Sequence, residues 1–113
     1  MWAIYGNVIK TPTRKVREFS LPVSNSLEIN NTLIFTLQPN REANCDRNLF
    51  CIREDGKLAW QIEYIVETNT DPINHYVGVV KLDNGNILAG NWNGMQIELN
   101  PCTGAVVSKK EGR

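Results

Sequence analysis

A strand-turn-strand phrase occurs twice in this chain and limits the fold more than any other feature. The first copy is Phe50-Cys51-Ile52-Arg53-Glu54-Asp55-Gly56-Lys57-Leu58-Ala59-Trp60. The second is Gln96-Ile97-Glu98-Leu99-Asn100-Pro101-Cys102-Thr103-Gly104-Ala105-Val106-Val107. Each is an apolar-rich run, a polar turn ending in Gly, and a second apolar-rich run. Such units cannot bury their faces alone, so a repeat of them implies stacked neighbours.

The rest of the chain follows the same rhythm. Gly, Pro, Asn and Asp recur at short intervals between runs rich in Val, Ile, Leu, Phe, Trp and Tyr, the pattern of many short antiparallel strands. No stretch sustains apolar residues at helical spacing. The pattern predicts an all-β, antiparallel fold of ten strands at 2–10, 15–21, 26–29, 32–37, 48–53, 57–65, 76–82, 86–92, 95–99 and 105–109, with polar loops at 38–47 and 67–74. In Met95-Gln96-Ile97-Glu98-Leu99 the apolar residues fall at alternate positions, so one face is buried and one is wet. Asn93-Gly94 between two apolar runs predicts a type I′ hairpin, in which both central residues need positive φ.

The strands group into larger units. An N-terminal hairpin occupies 1–21, a four-stranded unit 26–65 and a second 76–109, together one domain over 1–113. Four-stranded meanders of about 40 residues are the blades of β-propellers. Glu98-Leu99-Asn100-Pro101-Cys102-Thr103-Gly104 resembles the third-to-fourth-strand hairpin of pyrroloquinoline-quinone-type propeller blades. Cys51 to Trp60 resembles it too, with a shorter turn and a Trp where such blades often carry one. The resemblance implies blade-like hairpins stacked as a sandwich, a barrel or an oligomeric ring. It carries no catalytic residue onto this chain, and a ring of about four or more blades needs a longer one.

Bulk properties remove several functions. Lys plus Arg is 12 and Asp plus Glu is 12, so the formal charge is zero. Nucleic-acid binding needs a basic field to displace counterions from phosphates, and this chain has none. Low net charge also gives little repulsion between copies. No apolar run reaches the roughly 20 residues that span a bilayer, and Met1-Trp2-Ala3-Ile4-Tyr5 lacks the basic and apolar regions of a signal peptide. The expected location is cytoplasmic. Cys45, Cys51 and Cys102 are an odd set accompanied by one histidine, His75, which predicts neither a disulfide framework nor a zinc site. Cys51 should be a buried strand residue and Cys102 an exposed turn residue. No cofactor, metal or catalytic residue is expected.

The candidate binding residues are therefore exposed aromatics and edges. Trp92 precedes a turn and is flanked by Asn91 and Asn93, a trio suited to a sugar or a peptide. Trp2 and Ile4 lie on the opening strand, whose single charged side chain is Lys10 at its end. An edge so poorly protected is a seam for a second copy or for another protein's strand. The expected function is a non-enzymatic binding or protein-interaction module. Two alternatives are an immunity-type inhibitor of a toxin and a small hydrolase using His75, with Asp71 nearby, as general base.

Overall fold

The computed structural model describes residues 1–39, 47–65 and 74–111. These form eleven strands: β1 (Ala3–Tyr5), β2 (Val8–Lys10), β3 (Val16–Glu18), β4 (Val23–Ile29), β5 (Thr32–Leu37), β6 (Leu49–Arg53), β7 (Leu58–Gln61), β8 (Tyr76–Lys81), β9 (Ile87–Asn91), β10 (Met95–Leu99) and β11 (Val106–Glu111). The expected loops at 38–47 and 67–74 fall largely outside the described residues, as do Cys45 and Asp71. All pairing is antiparallel. The strands make a first sheet in the order β1-β2-β3, a middle sheet β4-β5-β6-β7 and a third sheet β8-β9-β10-β11.

The opening segment 2–10 is not one strand. It folds back at Gly6-Asn7, pairing Ala3 with Lys10 and Tyr5 with Val8. Gly6 takes the first corner with φ 61°. The turn is held from downstream: Asn7 Nδ2 donates to Phe19 O at 2.8 Å, and Val23 N donates to Gly6 O at 2.9 Å. These contacts explain why an apolar run bends where periodicity alone reads straight through.

The tight turns use one local device. Glu54-Asp55-Gly56, Asp83-Asn84-Gly85 and Trp92-Asn93-Gly94 are three-residue loops in which Gly has positive φ. In each, the side chain before Gly accepts from the backbone two residues on: Lys57 N to Asp55 Oδ1, Asn86 N to Asn84 Oδ1, and Met95 N to Asn93 Oδ1, each at 2.9 Å. That is Asx-turn chemistry. Asn93-Gly94 is thus part of a three-residue loop and not the expected type I′ pair, because only Gly94 has positive φ. The turn with two central residues at positive φ is Asn30-Asn31, at 50° and 63°.

The middle sheet is buried on both faces. Leu33, Phe35, Leu37 and Ile52 pack toward the first sheet with Ile9, Phe19 and Phe50. Ile34, Leu49 and Cys51 pack toward the third sheet with Tyr76, Ile87, Ala89, Ile97 and Leu99. This explains why β5 reads as a nearly continuous apolar run. Phe35 stacks on Phe50 at 5.6 Å and tilts against Phe19 at 5.0 Å. Each such side chain contributes roughly 1.5–3 kcal/mol by leaving water.

The middle and third sheets approach most closely through β4, β5 and β8. Asn48 joins them there. Its buried Nδ2 donates to Leu37 O at 2.7 Å and Tyr76 O at 3.0 Å, and its Oδ1 accepts from Tyr76 N at 2.7 Å. Asn25 Nδ2 adds a bond to Val77 O at 2.7 Å.

The outer strands are joined differently. A glycine turn of each following sheet is covered by the edge strand of the sheet before it. Lys15 Cβ would lie 3.2 Å from a Cβ placed on Gly56, and Arg17 Nη1 donates to Gly56 O at 2.6 Å. Trp60 covers Gly104 and donates from Nε1 to Pro101 O at 2.9 Å. The same joint thus recurs from first sheet to middle sheet and from middle sheet to third.

Candidate interaction surface

The third sheet has one covered face and one open face. Register assigns the open face two cross-strand rows: Val80-Leu88-Glu98-Ser108 and Gly78-Gly90-Gln96-Lys110. The alternate residues Ala89, Asn91, Ile97 and Leu99 are buried against the middle sheet.

Two glycines paired at the centre of a strand ladder need a reason. Gly in a strand interior is destabilising by roughly 0.5–1 kcal/mol relative to Ala. Neither Gly78 nor Gly90 has positive φ, and a Cβ on either would meet nothing within 4 Å. A β-bulge between Tyr76 and Gly78 accounts for the first. No internal contact accounts for Gly90. Strand glycines of this kind mark the close approach of another backbone or ligand.

Trp92 closes one end of the resulting trough. It follows Leu88 and Gly90 at the same two-residue interval and is 63% exposed. Its ring stacks on His75, with centroids 5.7 Å apart and planes 14° from parallel. Trp92 N donates to His75 O at 2.8 Å, extending the β8–β9 ladder by one pair beyond the strands. Val80, 55% exposed, and Leu88 form the other end.

The expected trio around Trp92 divides. Asn93 shapes the turn by accepting from Met95 N, and Asn91 is buried beneath it, its Oδ1 accepting from Asn93 N at 3.2 Å. Asn91 Nδ2 is buried with no hydrogen-bond partner among the described residues. Asn91 is thus buried under the turn and Asn93 is half-buried within it, and both shape the loop that carries Trp92. His75, expected only as a general base apart from this trio, is the second ring of the stack.

Trp2 and Ile4 lie elsewhere. Trp2 packs at the seam of the first and middle sheets and lines a groove of about 490 Å³ with Pro12, Glu28, Asn30 and Glu54. Ile4 pairs with Ile9 in the first sheet but, unlike buried Ile9, is itself exposed at 37%. Neither joins the Trp92 surface. Trp60 and Tyr76 are buried in the core.

Charge on the open face is local. Glu98 accepts from Asn86 Nδ2 at 2.8 Å and Asn84 Nδ2 at 3.1 Å. These bonds hold its carboxyl below the usual carboxylate range, with small help from Ser108 and Lys110. Among the described residues no three His, Cys, Asp or Glu side chains gather as metal ligands, and no helix is long and apolar enough to cross a membrane.

This geometry defines a three-sheet antiparallel β protein whose third sheet carries a stacked, exposed Trp beside its open face. The chain belongs to the DUF7957 family, a domain of unknown function, which it matches over residues 3–111. No curated protein matches. Among solved structures it is similar to a protein of unknown function from Bacteroides caccae, with TM-score 0.60, 17% identity, and coverage of 96% of this chain and 39% of that one. It is also similar to the computationally designed Ika8 protein, with TM-score 0.48, 11% identity, and coverage of 99% of this chain and 48% of that one. This chain spans 39% of the length of the Bacteroides caccae protein, and at 17% identity the likeness concerns fold alone.

Proposed function

We propose that this protein is a non-enzymatic protein-interaction module and that its working surface is the outer face of the third sheet. The observation that carries this reading is Gly90, a strand glycine with no internal steric reason, between exposed Trp92 and the aliphatic pair Val80 and Leu88. Trp is the residue type most often found at interface hot spots, and stacking on His75 fixes this one before any partner arrives. The two four-stranded sheets are read as blade-like units, supported by their consecutive meanders and their convergence at β4 and β8.

The partner is another β-sheet surface, in the simplest case a second copy. The first sheet has its own open face, where Tyr5 and Val16 are exposed, so head-to-tail stacking buries apolar surface on both molecules. The edge of β1 is a weaker candidate than either face. It is only three residues long, and short edges resist strand addition.

Sedimentation over a range of concentrations tests the proposal with wild type and Gly90→Glu. Wild type should associate as concentration rises, and the variant should remain monomeric with an unchanged far-UV circular dichroism spectrum. Equal association of both proteins would remove this face from consideration. A wild type that is monomeric throughout would exclude the second copy as partner.

A further inference from the structure

A cavity of about 240 Å³ between the middle and third sheets is lined by both described cysteines, together with Ile29, Thr32, Arg53 and Pro101. Cys51 is fully buried on β6, whereas Cys102 is exposed in the β10–β11 turn. The turn is fixed against β7, the neighbour of β6, by the Trp60 bond already described. Cys51 pairs across the sheet with Trp60, and the Trp60 indole donates to Pro101 O, one residue before Cys102. Within the turn, Cys102 N donates to Asn100 Oδ1 and Gly104 N to Asn100 O, both at 2.8 Å. Cys102 is thus held at the rim of a cavity whose wall is Cys51.

We propose that Cys51 and Cys102 are a peroxide-responsive thiol pair that closes to a disulfide across this cavity. The asymmetry assigns the roles. The exposed Cys102 is the attacking sulfur, since access and thiolate character decide which cysteine reacts first. Its thiolate attacks one peroxide oxygen, the O–O bond breaks, and the other oxygen leaves as hydroxide and is protonated to water. Cys102 is then a sulfenic acid. Cys51 loses its proton and attacks the sulfenic sulfur, the S–S bond forms, and the second oxygen leaves as water. Two thiols give up two electrons, and hydrogen peroxide accepts them.

Cys51 suits the resolving role. Burial pushes its thiol pKa up, a hydrogen bond with Thr32 offsets part of that, and the charge of Cys102 raises it further. Burial therefore shields Cys51 from outside oxidants, while a sulfenic acid on Cys102 forms at the cavity that Cys51 also lines. The product links β6 of the middle sheet to the β10–β11 turn of the third, at the outer side where the Trp60 joint already lies.

The test treats folded protein with hydrogen peroxide, blocks remaining thiols, digests without reductant and identifies linked peptides by mass spectrometry. The expected product is an intramolecular Cys51–Cys102 peptide, reversed by dithiothreitol, formed equally in Cys45→Ser and lost in Cys102→Ser. Because Cys102 is exposed, its replacement by Ser leaves the fold intact, and circular dichroism checks this. A thermal melt of the oxidised protein should lie above that of the reduced form. A link through Cys45, a link between molecules, or Cys102 oxidised without any link would each overturn the proposal.

Discussion

The Trp60 indole covers Gly104 so closely that a Cβ on that glycine would lie 2.6 Å from Cδ2. Gly104 also has φ +75°. Two independent requirements thus meet at one position. Gly104→Ala should cost about 3 kcal/mol, combining the left-handed backbone penalty with overpacking against a buried ring. Gly85→Ala is the control. It shares positive φ, at +89°, but has nothing within 4 Å, so it should cost only about 1–2 kcal/mol. Urea unfolding of both variants measures the difference, and equal losses would mean the indole does not press on Gly104.

Asn48 is the polar link between the middle and third sheets. Asn48→Ala leaves Leu37 O and Tyr76 N and O without their side-chain partner in a buried setting. Orphaned buried groups cost about 1–3 kcal/mol each, less where water enters the gap, so a loss of roughly 3 kcal/mol is expected. Asn48→Asp keeps the acceptor for Tyr76 N but removes both donated bonds, and should be destabilising at neutral pH. A loss below about 1 kcal/mol for Asn48→Ala would show that the sheets are held by apolar packing alone.

Glu98 gives the third sheet a small acid dependence. Its folded pKa is depressed below the usual carboxylate range, chiefly by the hydrogen bonds from Asn86 and Asn84. A depressed carboxyl stabilises the fold above the unfolded pKa, and that stability is lost as pH falls through the folded value. The wild type should therefore lose stability relative to Glu98→Gln as pH drops from about 5 toward 3. Parallel stability curves for the two proteins across that window would remove Glu98 as the source.

The native thiols should differ sharply in rate. Cys102 is exposed, whereas Cys51 is buried with its pKa raised by that burial. An aromatic disulfide reagent should label Cys102 well before Cys51, which needs at least local opening. Rapid and equal labelling would mean that β6 presents its other face, since a one-residue slip inverts the faces of a strand.

The parts of this fold that were legible in sequence are the local ones. Asp55-Gly56, Asn84-Gly85 and Asn93-Gly94 carry their turn chemistry in adjacent residues, so their hairpins could be placed directly. Strands 32–37 and 95–99 were bounded correctly because a turn lies hard against them. The hairpin at Gly6-Asn7 was not legible, since its stitching comes from Phe19 and Val23. Strand β4 begins at Val23, earlier than the expected residue 26, because a bulge between Val23 and Asn25 keeps it paired with Leu37. The exposure of Trp92 followed from its place before a turn. Its stacking partner did not, because His75 reaches it only through pairing between β8 and β9. Gly90 likewise gained meaning only when register set it beside Gly78.

Gly90 offers the clearest separation of fold from function. Its φ is not positive, and open space lies where a Cβ would stand. Gly90→Ala should therefore stabilise the monomer by about 0.5–1 kcal/mol, because the unfolded chain loses freedom that the strand does not use. The same methyl stands in the trough between Trp92 and Leu88, where a partner's backbone would have to approach. The variant should thus unfold later than wild type and associate less. Thermal melts at low concentration give the first quantity and sedimentation gives the second. A variant that is less stable than wild type would show that Gly90 serves the monomer's own packing, and the glycine would then carry no argument for a partner.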